Sequence, residues 1–205
     1  MTTATLQITR EEEQKIARVL YGLGQDLTGE DIFYNMCFCL MAPQTTYVSN
    51  RKVINVLKEK DFYNADIGQE DLEQLVRPTR FYRNKARYLL AMKEDFSCLW
   101  LIIHDPWLFP QGLRKKLVKR VKGFGMKAAS HFLRNVGYQD FAIIDVHVLA
   151  FLGRDKKKPP TSWKKYYEVE EEFRAKAKEL NVSVATLDAW VWAKYSGTDY
   201  GDFDY

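Results

Sequence analysis

Lys127 stands two residues past a Gly123-Phe124-Gly125 turn, and Asp145 ends the apolar run Phe141-Ala142-Ile143-Ile144 eighteen residues later. A lysine amine is a nucleophile only when unprotonated, and burial beside other cations pushes it toward that form. A fixed carboxylate stabilises positive charge that develops on a reacting carbon. Together the two residue types suit displacement at an electrophilic carbon with cationic character. Each also has an ordinary reading, Lys127 as a solvated helix lysine and Asp145 as the N-cap of a following helix. The eighteen-residue gap holds one helix and its return loop, long enough to face the aspartate toward the lysine.

The turn has chemistry of its own. Glycines permit backbone conformations closed to other residues and let a second molecule approach the main chain. A helix starting near Met126 would aim its free N–H groups at the turn, which makes an anion site suited to phosphate. Phe124 is expected to pack inward and fix the angle between the flanking helices. Residues 106–139 contain no Asp or Glu but carry eight cations, Arg114, Lys115, Lys116, Lys119, Arg120, Lys122, Lys127 and Arg134. With a net charge of +4 overall, the other 171 residues (205 − 34) sum to −4. A second acid-free stretch, 74–92, sets Arg77, Arg80, Arg83, Lys85 and Arg87 among aromatics. Such polarity suits a polyanion lying along one face. A plain αα-corner and a solvated basic helix are the competing readings.

The elements that must position these residues read as helical nearly throughout. Thr9-Arg10-Glu11-Glu12 has the pattern of a capping box and opens a helix with Ile16, Val19, Leu20 and Leu23 on one face. Further helices are expected at 30–41, 47–60 (Val48, Val53, Ile54 and Leu57 inward), 71–76 and 80–94 (Ala86, Leu89 and Leu90 inward). The run 97–104 is ambiguous between helix and strand, and its helical neighbours favour helix. Residues 110–122 and 126–135 flank the turn, Asp145 opens a helix to about Phe151, and 162–179 forms a long amphipathic one. Ser183 caps the last helix, which Gly197 stops. The expected fold class is all-α.

Composition excludes several classes. Hydrophobic residues make up 46%, as in a globular chain. No apolar stretch approaches the roughly 18 residues that span a membrane. Residues 1–13 lack the basic region and apolar core of a signal peptide, so an intracellular location is expected. Cys37, Cys39 and Cys98 are too few for a disulfide framework or a zinc knuckle and are expected as buried thiols. His104, His131 and His147 are scattered and form no metal cluster.

The run Leu117-Val118-Lys119-Arg120-Val121-Lys122-Gly123-Phe124-Gly125-Met126-Lys127-Ala128-Ala129 resembles the helix-hairpin-helix of DNA glycosylases related to endonuclease III. Ile143-Ile144-Asp145-Val146-His147-Val148 resembles the loop carrying their essential aspartate. The wording Ala129-Ser130-His131-Phe132-Leu133-Arg134-Asn135-Val136-Gly137, followed by Ala142-Ile143-Ile144-Asp145, is closest to the archaeal-type 8-oxoguanine DNA glycosylase/AP lyases. The resemblance is strongest over 107–152 and weaker at 30–95 and 187–197.

The resemblance implies one helical unit over residues 1–205, two helical lobes flanking a DNA-binding cleft, and a hairpin at about 110–135. The second lobe would span about 30–105, with the first and last helices packing on the hairpin lobe. It implies a bifunctional glycosylase/AP lyase, a monomer that excises 8-oxoguanine from duplex DNA through a lysine Schiff base and then nicks the strand by β-elimination. Lys127 would be the nucleophile and Asp145 its electrostatic partner. Gly123, Phe124, Gly125 and Lys122 would hold DNA phosphate, and His147 would touch the phosphate beside the lesion, unless it is a surface or core histidine. Met41-Ala42-Pro43-Gln44-Thr45-Thr46 resembles the loop from which relatives insert a wedge, with Gln44 as candidate, although a Pro43 turn explains the same residues. Leu187-Asp188, Trp192 and Ser196-Gly197 resemble the branch's C-terminal signature. Trp192 and Phe81 would stack on the flipped base, and Asp188 would accept from its Watson–Crick edge; Trp190 and Trp192 are equally readable as core.

No cofactor is expected beyond a monovalent cation at hairpin main-chain carbonyls, as relatives hold. The iron–sulfur cluster of endonuclease III needs four C-terminal cysteines that this sequence lacks. Relatives typically end near Gly197, whereas here residues 198–205 follow with three acids, a tail that repels DNA unless ordered away. Two alternatives stay open: the same mechanism on an oxidised pyrimidine, and a non-catalytic DNA-binding hairpin module.

Overall fold

The computed structural model describes residues 7–197, so the acidic segment 198–205 and the first six residues lie outside the description. Among the described residues there is no strand, and the chain is all-α. Two compact units divide it, one formed by 7–25 with 133–197 and the other by 26–132.

The 26–132 unit is built around α2 (Gly29–Met41). Every residue from Ile32 to Met41 is buried, as befits a helix apolar on all sides. Its entry is fixed by a capping box between Thr28 and Asp31. Around α2 pack α3 (Tyr47–Glu59) and α5 (Tyr82–Glu94), with α4 (Gln69–Val76) on α5 and α6 (Phe96–Ile103) on α7 (Pro110–Arg120). Phe33 is the centre of an aromatic cluster, with Tyr34, Phe62, Tyr63 and Phe96 at centroid distances of 5.1–5.5 Å. A side chain of this size contributes about 1.5–3 kcal/mol by burial. The run 97–104 is helical.

Two expectations fail here. Val48 lies on the first turn of α3 facing outward, 62% exposed, because the face that meets α2 is set by Asn50, Val53, Ile54 and Leu57. Cys98 is exposed, while Cys37 and Cys39 are buried in α2.

In the other unit, α1 (Arg10–Leu23), α9 (Val146–Phe151) and α10 (Trp163–Glu179) all pack on α11 (Val184–Ser196). Residues 184–191 of α11 are buried without a break, so this helix is the unit's core. The expected caps are present. Thr9 and Glu12 form the capping box of α1, Ser183 accepts from the Thr186 amide, and Gly197 ends α11 at φ 72°. Lys194 ties α11 to α1 through Glu12 at 2.7 Å.

Candidate active site

The hairpin consists of α7, the turn 121–125 and α8 (Met126–Asn135). Only one of the turn's two glycines is demanded by conformation. Gly123 has φ 96°, and a Cβ there would sit 2.5 Å from Tyr88 Cδ2 and 3.1 Å from Leu40 Cδ2. Gly125 has no left-handed φ and nothing within 4 Å of its would-be Cβ, so it leaves bare main chain at the turn. Phe124 packs inward, 6% exposed, with its ring 6.3 Å from that of Phe132. The Gly125 carbonyl accepts from the Ala129 amide at 3.0 Å and so begins α8. The amides of Met126, Lys127 and Ala128 are therefore the ones without intrahelical acceptors. The first turn of α8 has no acidic residue to occupy them.

Lys127 is the second residue of α8, and both it and Lys122 are exposed. The burial expected around Lys127 is thus absent from the chain by itself. The basic block is also smaller at the surface than its count of eight. Arg114 is fully buried, donating from Nη1 to Ser130 Oγ at 2.9 Å and from Nη2 to Gln111 Oε1 at 2.7 Å, which braces α7 against α8. Arg134 is buried at 3%. Arg120 forks onto the Asp95 carboxylate at 2.5 and 2.7 Å, and Lys116 pairs with Asp105 at 3.7 Å.

In the 74–92 stretch Arg77, Arg80, Arg83 and Arg87 are exposed. Lys85 is not. It is buried at 4% and donates to Met41 O at 2.7 Å and Thr45 Oγ1 at 2.6 Å, and burial lowers its ammonium pKa to about 8. Those two acceptors bracket Gln44, which is exposed and held at φ 54°. Phe81 is also left-handed, at φ 60°, and 51% exposed, with the Arg80 guanidinium 4.9 Å above its ring. Non-glycine residues in this region are uncommon and concentrate where surrounding structure imposes the strain.

Asp145 caps α9. Its Oδ1 accepts from the His147 amide at 2.8 Å and the Val148 amide at 3.0 Å. Oδ2 takes part in neither bond, so capping and charge stabilisation are compatible duties of one half-buried carboxylate. His147 is half-buried on the first turn of α9. Lys127 belongs to the 26–132 unit and Asp145 to the other.

Asp188 differs from expectation. It is 3% exposed, with Oδ2 3.0 Å from Arg134 Nη1 and Oδ1 accepting from the Ile143 amide at 2.8 Å. Both oxygens are committed inside the protein rather than open to a base edge. Burial raises this carboxyl to about 7, Arg134 opposes the rise and the negative Asp145 adds to it. Trp192 is half-buried, whereas Trp190 is core at 1% exposure, edge-on to Phe151 at 6.5 Å. Sequence reasoning missed the inward roles of Arg114, Arg134 and Lys85. Their one local signal is a cation placed at an apolar helical register, as Arg114 lies between Leu113 and Leu117.

A family model described as 8-oxoguanine DNA glycosylase matches residues 14–182. The chain belongs to the 8-oxoguanine DNA glycosylase family. An 8-oxoguanine DNA glycosylase/AP lyase from Saccharolobus solfataricus is 32% identical to it over 182 residues, spanning 84% of this chain and 86% of that one. The crystal structure of the Methanocaldococcus jannaschii 8-oxoguanine DNA glycosylase superposes with a TM-score of 0.79 at 30% identity, covering 92% and 89% of the two chains. The same organism's glycosylase/lyase in complex with a 15mer DNA containing 8-oxoguanine gives 0.76 at 29% identity, covering 92% and 90%. The family's solved structures therefore share the all-α fold found here.

Proposed function

We propose that this glycosylase-family chain removes 8-oxoguanine from duplex DNA and then nicks the strand at the abasic sugar, acting inside the cell as a monomer. The observation that carries the reading is Lys127, an exposed amine on the first turn of a helix entered through a bare glycine turn, in a chain of this family. Phosphate held by the free amides of α8 would bring the neighbouring sugar to that amine. A DNA strand lying on Lys127 would supply the exclusion of water that the free protein lacks.

The unprotonated Nζ of Lys127 attacks C1′, and the C1′–N bond electrons leave with the base, which takes a proton. Positive charge grows on the sugar as the base departs, and Asp145 stabilises it. The C1′–O4′ bond then opens to an imine on Lys127, with O4′ protonated. The imine acidifies C2′–H, and loss of that proton expels the 3′ phosphate by β-elimination. Water hydrolyses the imine and frees the lysine. Gln44 would fill the gap left by the extruded base, and Phe81 and Trp192 would stack on the base itself. Main-chain carbonyls of the hairpin turn would be the ligands of a monovalent cation, and no step above depends on that ion.

The test uses duplex DNA with one 8-oxoguanine opposite cytosine, incubated with borohydride. A covalent complex should be trapped, and Lys127→Gln should abolish it. Binding with neither trapping nor cleavage would make the chain a DNA-binding module. Faster processing of a thymine glycol duplex than of 8-oxoguanine would move the substrate to oxidised pyrimidines.

A further inference from the structure

Residues 141–144 are buried yet belong to no helix or sheet. A buried main chain without a ladder needs hydrogen-bond partners from elsewhere. Here they come from one stripe of α10. Arg174 Nη2 donates to Asp140 O at 2.9 Å. Glu170 Oε1 accepts from the Ala142 amide at 3.3 Å. The Tyr166 hydroxyl donates to Ala142 O at 2.8 Å and accepts from the Ile144 amide at 3.1 Å. Ile143, which this pattern skips, is held by Asp188 of α11.

The spacing explains why a helix can do this. Tyr166, Glu170 and Arg174 stand at i, i+4 and i+8, so about 6 Å of helix rise separates successive members. Two residues of extended chain advance about 6.6 Å. A four-residue step down α10 therefore keeps pace with a two-residue step along 140–144 running the opposite way. The stripe substitutes for a neighbouring strand and sets the register of the segment that ends at Asp145.

We propose that Tyr166, with Glu170 and Arg174 behind it, is a positioning residue for the Asp145 carboxylate. Of the α10 stripe, Tyr166 makes the two bonds nearest Asp145, and its hydroxyl holds residues 142 and 144 together. It touches no substrate; it acts through the backbone that delivers Asp145. The inference rests on the function proposed above, in which Asp145 stabilises the departing-base transition state.

The experiment compares Tyr166→Phe with wild type on two duplexes, one with 8-oxoguanine opposite cytosine and one with a preformed abasic site. Base departure needs the aspartate's charge, whereas imine formation on an abasic aldehyde has no base to expel. The single-turnover excision rate is expected to fall roughly tenfold or more, within the roughly 100-fold that a 1 Å misplacement can cost. Borohydride trapping on the abasic duplex and DNA affinity should stay within about twofold of wild type, the scatter of a neutral substitution. Arg174→Met removes only the outermost rung and should show the same split to a smaller degree, which keeps the proposal testable if Tyr166→Phe folds poorly. Equal losses on both duplexes, or no loss on either, would overturn it. If wild type itself fails to excise 8-oxoguanine, the function is wrong; if wild type excises and both variants match it, only the positioning role is wrong.

Discussion

The buried ammonium of Lys85 lies 2.6 Å from Thr45 Oγ1 and, through its second bond to Met41 O, closes the turn that carries Gln44. The lysine and its acceptors are at least 40 residues apart in sequence, so α5 braces the loop after α2 from outside, beside the loop's own bond from the Thr45 amide to Ala42 O at 3.1 Å. Replacing Lys85 with Met keeps the length and removes both bonds. Gln44 should then relax from its left-handed conformation and lose its outward pose. Base extrusion, followed as the fluorescence rise of 2-aminopurine placed beside the lesion, is expected to weaken roughly 5- to 150-fold, the range spanned by the 1–3 kcal/mol that such strain stores. An unchanged rise would show that the clamp is irrelevant to extrusion.

The two glycines of the hairpin turn separate stability from binding. Gly123→Ala forces a Cβ to within 2.5 Å of Tyr88 at φ 96° and should cost about 1–3 kcal/mol in urea unfolding. Gly125→Ala meets nothing within 4 Å and should leave stability within about 0.5 kcal/mol. Its methyl group instead obstructs approach to the main chain, so DNA affinity should drop while the unfolding midpoint stays put. A Gly125→Ala protein that binds DNA as wild type does would remove the turn from the interface.

Features whose physical cause is local could be read from the sequence. Thr9 and Ser183 cap helices through bonds to amides three residues on, so their spacing alone foretells them. Gly123, Phe124 and the start of α8 belong to the same class, as does Asp145 as a cap. What escaped is the sorting of cations between surface and interior. Lys85 answers to Met41, and Arg134 to Asp188, across 44 and 54 residues. No periodicity encodes such pairings. The α10 stripe is visible as an i, i+4, i+8 series, but its meaning requires knowing that an extended segment lies alongside.

Acid should loosen the tie between α1 and α11 in a defined window. Burial acts to raise the Glu12 pKa, but the bonds from Lys194 and Thr9 outweigh it and hold the carboxyl down to about 2, against 4.5 ordinarily. With the folded value below the unfolded one, the stabilisation is fully present above pH 4.5 and is lost as pH falls toward 2. Glu12→Gln preserves an acceptor for the Thr9 amide but removes the charge. The difference in urea midpoint between wild type and Glu12→Gln should therefore shrink as pH is lowered from 6 to about 2. A difference that is constant across this range would mean Lys194 contributes nothing through charge.

The buried and exposed members of the basic block should part company in salt. Lys122 is exposed beside the turn, and neutralising a phosphate there releases a counterion. Lys122→Ala should weaken DNA binding about equally for damaged and undamaged duplexes and reduce the slope of log affinity against log salt by about 1. Arg114 is buried between α7 and α8 with Ser130 and Gln111 as acceptors, so it meets no phosphate directly. Arg114→Met removes a buried charge together with its bonds, and its effect should appear in the unfolding midpoint. At a temperature where the variant is folded, its salt slope should equal that of wild type. A shallower slope for Arg114→Met would mean that this guanidinium reaches DNA, and that the hairpin opens on binding far enough to release it.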